Sequence, residues 1–100
     1  MYVVEFKLRA KPGHYAQLAE AYSSFAEDFL NSQPALSSVL IVGDEGSGDL
    51  RGIAVWADRS SADHVNSNPK FAAFNDRTAP MLAEAPVRVE LELLHSYSKA

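Results

Sequence analysis

The chain has 100 residues, of which 47% are hydrophobic and 22% are charged, a composition typical of one globular domain. Its formal net charge is −4 and its nine Lys and Arg residues are scattered, which argues against a cationic surface for nucleic acid or for an anionic membrane. It has no cysteine, so disulfides, thiolate nucleophiles and cysteine-ligated metals are excluded.

The first predicted element is a strand near the N-terminus. Val4, Phe6 and Leu8 alternate with charged residues at the period of two that a half-buried strand shows. Because charges interrupt this apolar run, it does not resemble a secretory signal peptide, and no run in the chain approaches the roughly 20 apolar residues that span a bilayer. We therefore expect a cytoplasmic protein of one domain over residues 1–100, with no membrane partner.

A long amphipathic helix is predicted from His14 to about Asn31. The preceding Lys11-Pro12-Gly13 ends the first strand, because proline interrupts a strand ladder and glycine permits a turn. Apolar side chains then recur at alternating spacings of three and four residues, which places them on one stripe of a helix: Tyr15, Leu18, Tyr22, Phe25 and Phe29. We expect this stripe to pack against a sheet.

Two further strands are predicted over 39–42 and 53–56, joined by a flexible hairpin loop. The loop contains three glycines, as a phosphate-binding loop would, but it also carries the acidic residues Asp44, Glu45 and Asp49. It lacks the Lys-Ser/Thr ending of such a loop, and it joins a strand to a strand rather than a strand to a helix. We therefore interpret it as a turn and not as a phosphate site.

Two short helices and a final strand complete the chain. Ser60 is predicted to cap the first helix together with Asp63, and Pro69 lies in the first turn of the second helix. After Pro86, apolar and charged residues alternate from Val87 onward, as in a half-buried strand. The order β-α-β-β-α-β predicts an α+β fold of the ferredoxin-like, split βαβ type, with a four-stranded antiparallel sheet and the helices on one face.

The first and last strands of this topology pair antiparallel at the middle of the sheet. One permitted register places Lys7 opposite Glu92 and Arg9 opposite Glu90, which would match opposite charges. These residues would then share with Glu5 the sheet face that points away from the helices. That face is either solvated or packed against the sheet of a second copy.

The order and spacing of several segments are similar to those of the antibiotic biosynthesis monooxygenase family, whose members are small dimeric α+β barrel proteins. The resemblance covers about residues 3–95. Its matching segments are, in chain order, Lys11-Pro12-Gly13, the helix rich in Phe and Tyr, Trp56-Ala57-Asp58, Ser60 to His64, Ser67-Asn68-Pro69-Lys70-Phe71 with Phe74, and the last strand. The resemblance implies a homodimer with two sheets face to face, and a pocket in each subunit between its sheet and its helices.

Members of this family include cofactor-free oxygenases of polycyclic aromatic quinols, haem-degrading enzymes and small-molecule isomerases, so the resemblance leaves the reaction open. The family's helical histidine often lies at the position of Val65, whereas here the histidine is His64, one residue earlier. One residue rotates a helical side chain by about 100°. Phe6 stands where haem-degrading relatives need an asparagine. Arg51 and Gly52 stand where quinol-oxidising relatives can carry one.

Trp56 and His64 are the candidate catalytic residues. The resemblance implies that the Trp56 ring forms a pocket wall, and its indole N–H can donate a hydrogen bond to a carbonyl or a developing oxyanion; a core or interface position is the alternative. His64 could serve as a general base with a pKa near neutrality, or lie at the surface of a short helix. His14 and His95 are expected to be solvated, and no histidine spacing indicates a metal site.

The candidate substrate-binding residues are mostly aromatic. Six of them are expected to form either core or a flat apolar cleft for a planar aromatic ligand: Phe6, Tyr22, Phe25, Phe29, Phe71 and Phe74. Arg77 could orient an anionic or phenolic substrate in such a cleft, or be solvated. The small aromatic ligand and a second copy of the chain are the expected partners.

The leading hypothesis is a cofactor-independent monooxygenase that acts on a small planar quinol or phenol, with no cofactor and no metal. The pocket would exclude water while His64, or a water it activates, removes a phenolic proton, and the resulting anion would reduce O2 directly. The alternatives are a non-catalytic small-molecule-binding dimer, a haem-degrading enzyme and a small-molecule isomerase of the same fold.

Overall fold

The computed structural model describes residues 1–99. Its strands and α-helices follow one another as β1 (Tyr2–Arg9), α1 (Tyr15–Asp28), β2 (Leu36–Asp44), β3 (Asp49–Trp56), α2 (Arg59–Asn66), α3 (Pro69–Thr78) and β4 (Val87–Glu92). The four strands form one antiparallel sheet in the order β2-β3-β1-β4, with the helices on one face. This architecture confirms the predicted α+β fold. The sheet is open, with β2 and β4 as its edges.

The alternation of residues in the central strands decides which side chains enter the core. In β1, Val4 and Leu8 are buried beneath the helices, and in β3 every second residue from Leu50 to Trp56 is buried. The predicted stripe of α1 lies on this side of the sheet, where Leu18, Tyr22 and Phe25 are buried. The core therefore lies between the sheet and the helices.

No helix within residues 1–99 is long and apolar enough to cross a membrane.

The ends of the two short helices differ in how well the sequence predicted them. Helix α2 begins two residues earlier than expected, so its N-cap is Asp58, whose carboxylate accepts a 2.7 Å hydrogen bond from the backbone N–H of Ser61. This bond lowers the pKa of the Asp58 carboxyl. The predicted Ser60–Asp63 cap is therefore wrong. The position of Pro69 at the start of α3 is confirmed, with Asn68 as the cap.

The register between β1 and β4 corrects the predicted charge pairs. Lys7 lies opposite Val87, and Glu92 lies opposite Tyr2, so neither predicted pair forms. The shift is an odd number of residues, and an odd shift moves every side chain of a strand to the other face. Glu90 and Glu92 therefore lie on the helix side of the sheet, at an edge where their carboxylates reach solvent.

The correction makes the face of the sheet that points away from the helices, here called the open sheet face, more apolar than predicted. Leu40 and Leu91 are 60% and 52% exposed on it, and Val42 and Val87 are exposed as well. Charges occupy its centre in a row of ion pairs, in which Glu5 lies 3.4 Å from Lys7 and 3.7 Å from Arg51, and Arg51 lies 2.9 Å from Asp49. An apolar face with an internally paired charged centre is suited to contact with another protein surface.

Candidate functional site

A small apolar cavity of about 40 Å³ lies between the sheet and the helices. Val4, Phe6, Gly52, Ala54 and Trp56 form its wall on the sheet side. The helices contribute Tyr22 and Phe25 from α1, Ala62 and Val65 from α2, and Phe71 from α3. The cavity can hold a few waters at most, whereas an apolar cavity known to bind benzene measures about 150 Å³. An aromatic ligand would therefore have to displace part of its wall.

The structure brings five of the nine predicted site residues together at this cavity, and they are Phe6, Tyr22, Phe25, Trp56 and Phe71. Three of their rings contact one another in a chain. The ring of Phe71 lies 5.4 Å from that of Phe6 in an edge-on arrangement and 5.9 Å from that of Phe25. Phe71 and Phe6 are only partly buried, whereas the other three aromatic residues of the wall are buried. That these side chains bind a ligand stays a prediction.

Phe29, Phe74 and Arg77 lie apart from the cavity, along a groove between α1 and α3 that measures about 360 Å³. Phe74 packs in the core beneath this groove, and Lys70 places its Nζ 6.0 Å from the centre of the Phe29 ring. Arg77 follows Phe71 by six residues, which places the two side chains about 120° apart around α3. Arg77 therefore does not reach the ligand cavity in which it was expected to act.

His64 lies on the exposed side of α2 and does not line the cavity. Its neighbours Ala62 and Val65 are buried and take the inward positions of that helix. The offset of one residue seen in the sequence thus places a valine at the cavity and turns the imidazole away by about 100°. The role of His64 as a general base remains a prediction that no contact with the cavity supports.

The Tyr22 hydroxyl lies over the sheet, against the backbone of Phe6 and Gly52. It donates a hydrogen bond of 3.4 Å to the carbonyl oxygen of Phe6, and burial raises the pKa of the phenol far above its ordinary value. Tyr22 is therefore neutral at physiological pH. It packs so closely against Gly52 that a Cβ there would lie 2.5 Å from Tyr22 Cζ and would overlap the hydroxyl.

Arg88 is a residue of the site that the sequence reasoning missed. It lies on β4 and lines the cavity, and its guanidinium joins this strand to α2. Nη1 donates to Asn66 Oδ1 at 2.8 Å, and Nη2 donates to the Ala62 carbonyl at 3.5 Å. Nε and Nη2 both donate to Glu90 Oε1, at 3.2 and 3.0 Å, and these bonds lower the pKa of the Glu90 carboxyl. Arg88 could have been found from the sequence only with the correct register of β4, which pairs it with Phe6 on the helix side of the sheet.

No group of three or more potential histidine, aspartate or glutamate ligands comes together within residues 1–99. The only polar side chains at the cavity in this part of the chain are those of Trp56, Tyr22 and Arg88. Whether the protein works without a metal or cofactor stays a prediction. The cavity offers hydrogen-bond donors in an apolar setting, which suits a planar ligand that carries oxygen atoms.

The sequence model of the antibiotic biosynthesis monooxygenase family matches residues 1–77. No curated protein sequence matches the chain.

Solved structures with this fold come from several bacteria. A Nitrosomonas europaea protein of unknown function is 23% identical, with a TM-score of 0.84 over 99% of this chain and 94% of its own. SnoaB of Streptomyces nogalater, a cofactor-independent oxygenase, is 13% identical, with a TM-score of 0.81 over 98% and 97% of the two chains. A Mycobacterium tuberculosis protein is 13% identical, with a TM-score of 0.82 over 97% and 98%. At these identities the likeness establishes the shared fold alone.

Proposed function

The chain belongs to the antibiotic biosynthesis monooxygenase family, and from this premise we propose that it is a cofactor-independent monooxygenase of small planar quinols or phenols. The observation that carries the proposal is the apolar cavity between sheet and helices, with Trp56 and Tyr22 in its walls. Apolar walls exclude water from a bound aromatic anion, and they strengthen any hydrogen bond made to its oxygen.

The reaction needs only the substrate, O2 and a site that favours the substrate anion. In an anthrone-like substrate, a CH2 group becomes a carbonyl. One oxygen atom of O2 enters that carbonyl and the other leaves as water with the two hydrogens, so the substrate supplies all four electrons. The protein's part is to orient the ring system, exclude water and donate a hydrogen bond from the Trp56 indole to the developing oxyanion.

Oxygen uptake by the metal-chelated protein, with naphthoquinols and anthrones as substrates and with autoxidation subtracted, tests this function. Trp56→Phe keeps an aromatic wall and removes the indole N–H, and we expect it to lower turnover by about tenfold or more, because a hydrogen bond to a charged group contributes roughly 1.5–3 kcal/mol. His64→Ala is the control, with unchanged turnover expected because His64 is exposed. A steep fall in the His64 variant would instead make His64 the general base, and no saturable uptake in the unmodified protein would refute the function.

A non-catalytic small-molecule-binding protein is the second candidate. The observation that favours it is that no carboxylate or imidazole lines the cavity in the part of the chain the structure describes. A binding protein would be stabilised against thermal unfolding by the same quinols, without any oxygen uptake above the autoxidation rate. The two measurements together separate this candidate from the monooxygenase.

We propose that the protein is a homodimer in which the open sheet faces of two copies pack together. Leu40 and Leu91 lie on that face at opposite edges of the sheet, and the ion pairs around Glu5 and Arg51 lie between them. Packing two such faces would remove the exposed leucines and valines from water. It would also complete the barrel that a single open sheet cannot form.

The substitution Leu40→Arg is expected to convert the dimer to a monomer, because it buries a charge without a partner in the interface. Leu40 is 60% exposed in the single chain, so the folded monomer should lose little stability. Ser23→Arg on the exposed side of α1 is the matched control. Light scattering should give twice the 10.9 kDa monomer mass for the unmodified protein and the control, and the monomer mass for Leu40→Arg. A monomer in all three samples would contradict the proposed dimer.

A further inference from the structure

We infer that the cavity binds its aromatic ligand as an anion, an acidic phenol or enol that is already ionised in solution, with Arg88 holding the ionised oxygen. This inference rests on the proposed function, since it narrows the substrate class of the same cavity. In this scheme no base of the protein removes a proton from the substrate, because the cavity selects the ligand that is already ionised. Three observations carry it: the kind of polar groups at the cavity, the unused donors of Arg88, and the balance of charge around it.

The polar groups at the cavity are donors rather than bases. The Trp56 indole and the Arg88 guanidinium can only donate hydrogen bonds. The Tyr22 hydroxyl donates its hydrogen bond to the Phe6 carbonyl oxygen. Among residues 1–99, no carboxylate or imidazole lines the cavity. A ligand at this site must therefore supply the acceptor atoms, and it must arrive without the proton that a base would otherwise remove.

The Arg88 guanidinium keeps donor capacity for such a ligand. Of its five N–H groups, two are directed at Glu90 and one at Asn66, all within 3.2 Å. The bond from Nη2 to the Ala62 carbonyl is long, at 3.5 Å, and the second N–H of Nη1 has no partner within residues 1–99. The guanidinium thus keeps one N–H of Nη1 for a ligand oxygen at the cavity wall, and the long bond of Nη2 to Ala62 is the one that a ligand oxygen could replace.

The charges near Arg88 determine how strongly its guanidinium attracts an anion. Its side chain is one-fifth exposed and borders apolar walls, where charge interactions are stronger than in water. Glu90 offsets part of the positive charge, and Arg59 and Asp63 of α2 also face Glu90. Tyr22 is the titratable group facing the cavity from α1, and in its neutral form it does not repel an anion. Removing the Glu90 charge should therefore strengthen anion binding, whereas removing the Arg88 charge should weaken it.

Calorimetric titration of the full chain with two matched probes tests the inference. The first, 2-hydroxy-1,4-naphthoquinone, is an acidic enol that is ionised at neutral pH, and the second, 2-methoxy-1,4-naphthoquinone, has the same rings and no ionisable group. We expect the hydroxy probe to bind at least tenfold more tightly at pH 7, and to lose this advantage below the pKa of its own hydroxyl. Trp56 is the only tryptophan of the chain, so quenching of its fluorescence locates the bound probe at the cavity.

Two sets of variants, expected to lower and to raise the affinity for the hydroxy probe, complete the test. Arg88→Gln should abolish the preference for the hydroxy probe and leave the methoxy probe unaffected, and Arg88→Lys should restore part of it. Glu90→Gln should raise the affinity for the hydroxy probe several-fold, and it carries the test if Arg88→Gln does not fold. Arg77→Gln removes an arginine that lies in the outer groove, and it should change neither affinity.

Equal affinity for the two probes, binding of neither probe, or an equal loss for both in Arg88→Gln would overturn the inference. Tighter binding of the hydroxy probe without oxygen uptake from any quinol would uphold the inference and refute the proposed monooxygenase. Oxygen uptake that is the same in Arg88→Gln as in the unmodified protein would uphold the monooxygenase and refute the role of Arg88 in holding the anion.

Discussion

Phe74→Ala is expected to lower the free energy of unfolding by about 3–5 kcal/mol, the usual range for deleting a buried phenylalanine side chain. Phe74 is 2% exposed, and its ring stacks 4.4 Å from that of Phe25 and lies 5.5 Å from that of Tyr22. The neighbouring elements cannot close the resulting cavity without moving α1 against α3. Urea unfolding at fixed protein concentration measures the loss.

Phe71→Ala is the matched comparison, since it deletes the same side chain three residues earlier on the same helix. Phe71 is only partly buried and lines the cavity, so its loss should cost less stability than that of Phe74 and should widen the cavity. We expect the Phe71 variant to bind two-ring quinones more readily than the unmodified protein does. Equal stability losses in the two variants would contradict the expectation that the more deeply buried ring contributes more to stability.

Gly52→Ala is expected to lower the free energy of unfolding by about 1–3 kcal/mol, the cost of overpacking a core. Alanine would normally be preferred to glycine in a strand, and the φ angle of Gly52 is not in the positive range. The loss would therefore come from the added Cβ, which would overlap the Tyr22 hydroxyl and approach its ring. Tyr22 would have to leave its position against the sheet, so the geometry of the ligand cavity should change as well.

Two variants control the Gly52 experiment. Gly46→Ala, in the hairpin loop, meets no atom closer than 3.8 Å and should leave the stability nearly unchanged. Adding Tyr22→Phe to Gly52→Ala removes the overlapping hydroxyl and should recover part of the loss, a coupling that a double-mutant cycle measures. Losses that add without coupling would mean that the Cβ of residue 52 is accommodated in some other way.

The periodicity of the sequence was sufficient to predict the elements and their order. Alternation in β1 identified Val4 and Leu8 as buried, and the spacing of three and four in α1 identified Leu18, Tyr22 and Phe25. These patterns are local, because they record which side of one element is shielded from water. The cap of α2 was missed, although Asp58 is the stronger acceptor, because the helix was expected to begin later.

The candidate site could be predicted only in part from the same patterns. Aromatic residues on the inward stripes do meet at the cavity, as Tyr22 and Phe71 show. Three residues of α3 face different neighbours: Phe71 lines the cavity, Phe74 enters the core and Arg77 reaches the outer groove. Which neighbour a side chain meets depends on how α1 and α3 pack, and helical spacing does not contain that information.

The sequence by itself thus determined the fold class, the family and the aromatic residues of the cavity wall. Only the tertiary structure decided which polar groups reach that wall, where Arg88 takes the place expected for His64 and Arg77. The physical reason is that a strand alternates in the same way in every register, whereas an odd shift along its partner exchanges its two faces. The pairing of Lys7 with Val87, rather than with Glu92, therefore places the guanidinium of Arg88 at the cavity and the valines of β4 on the open sheet face.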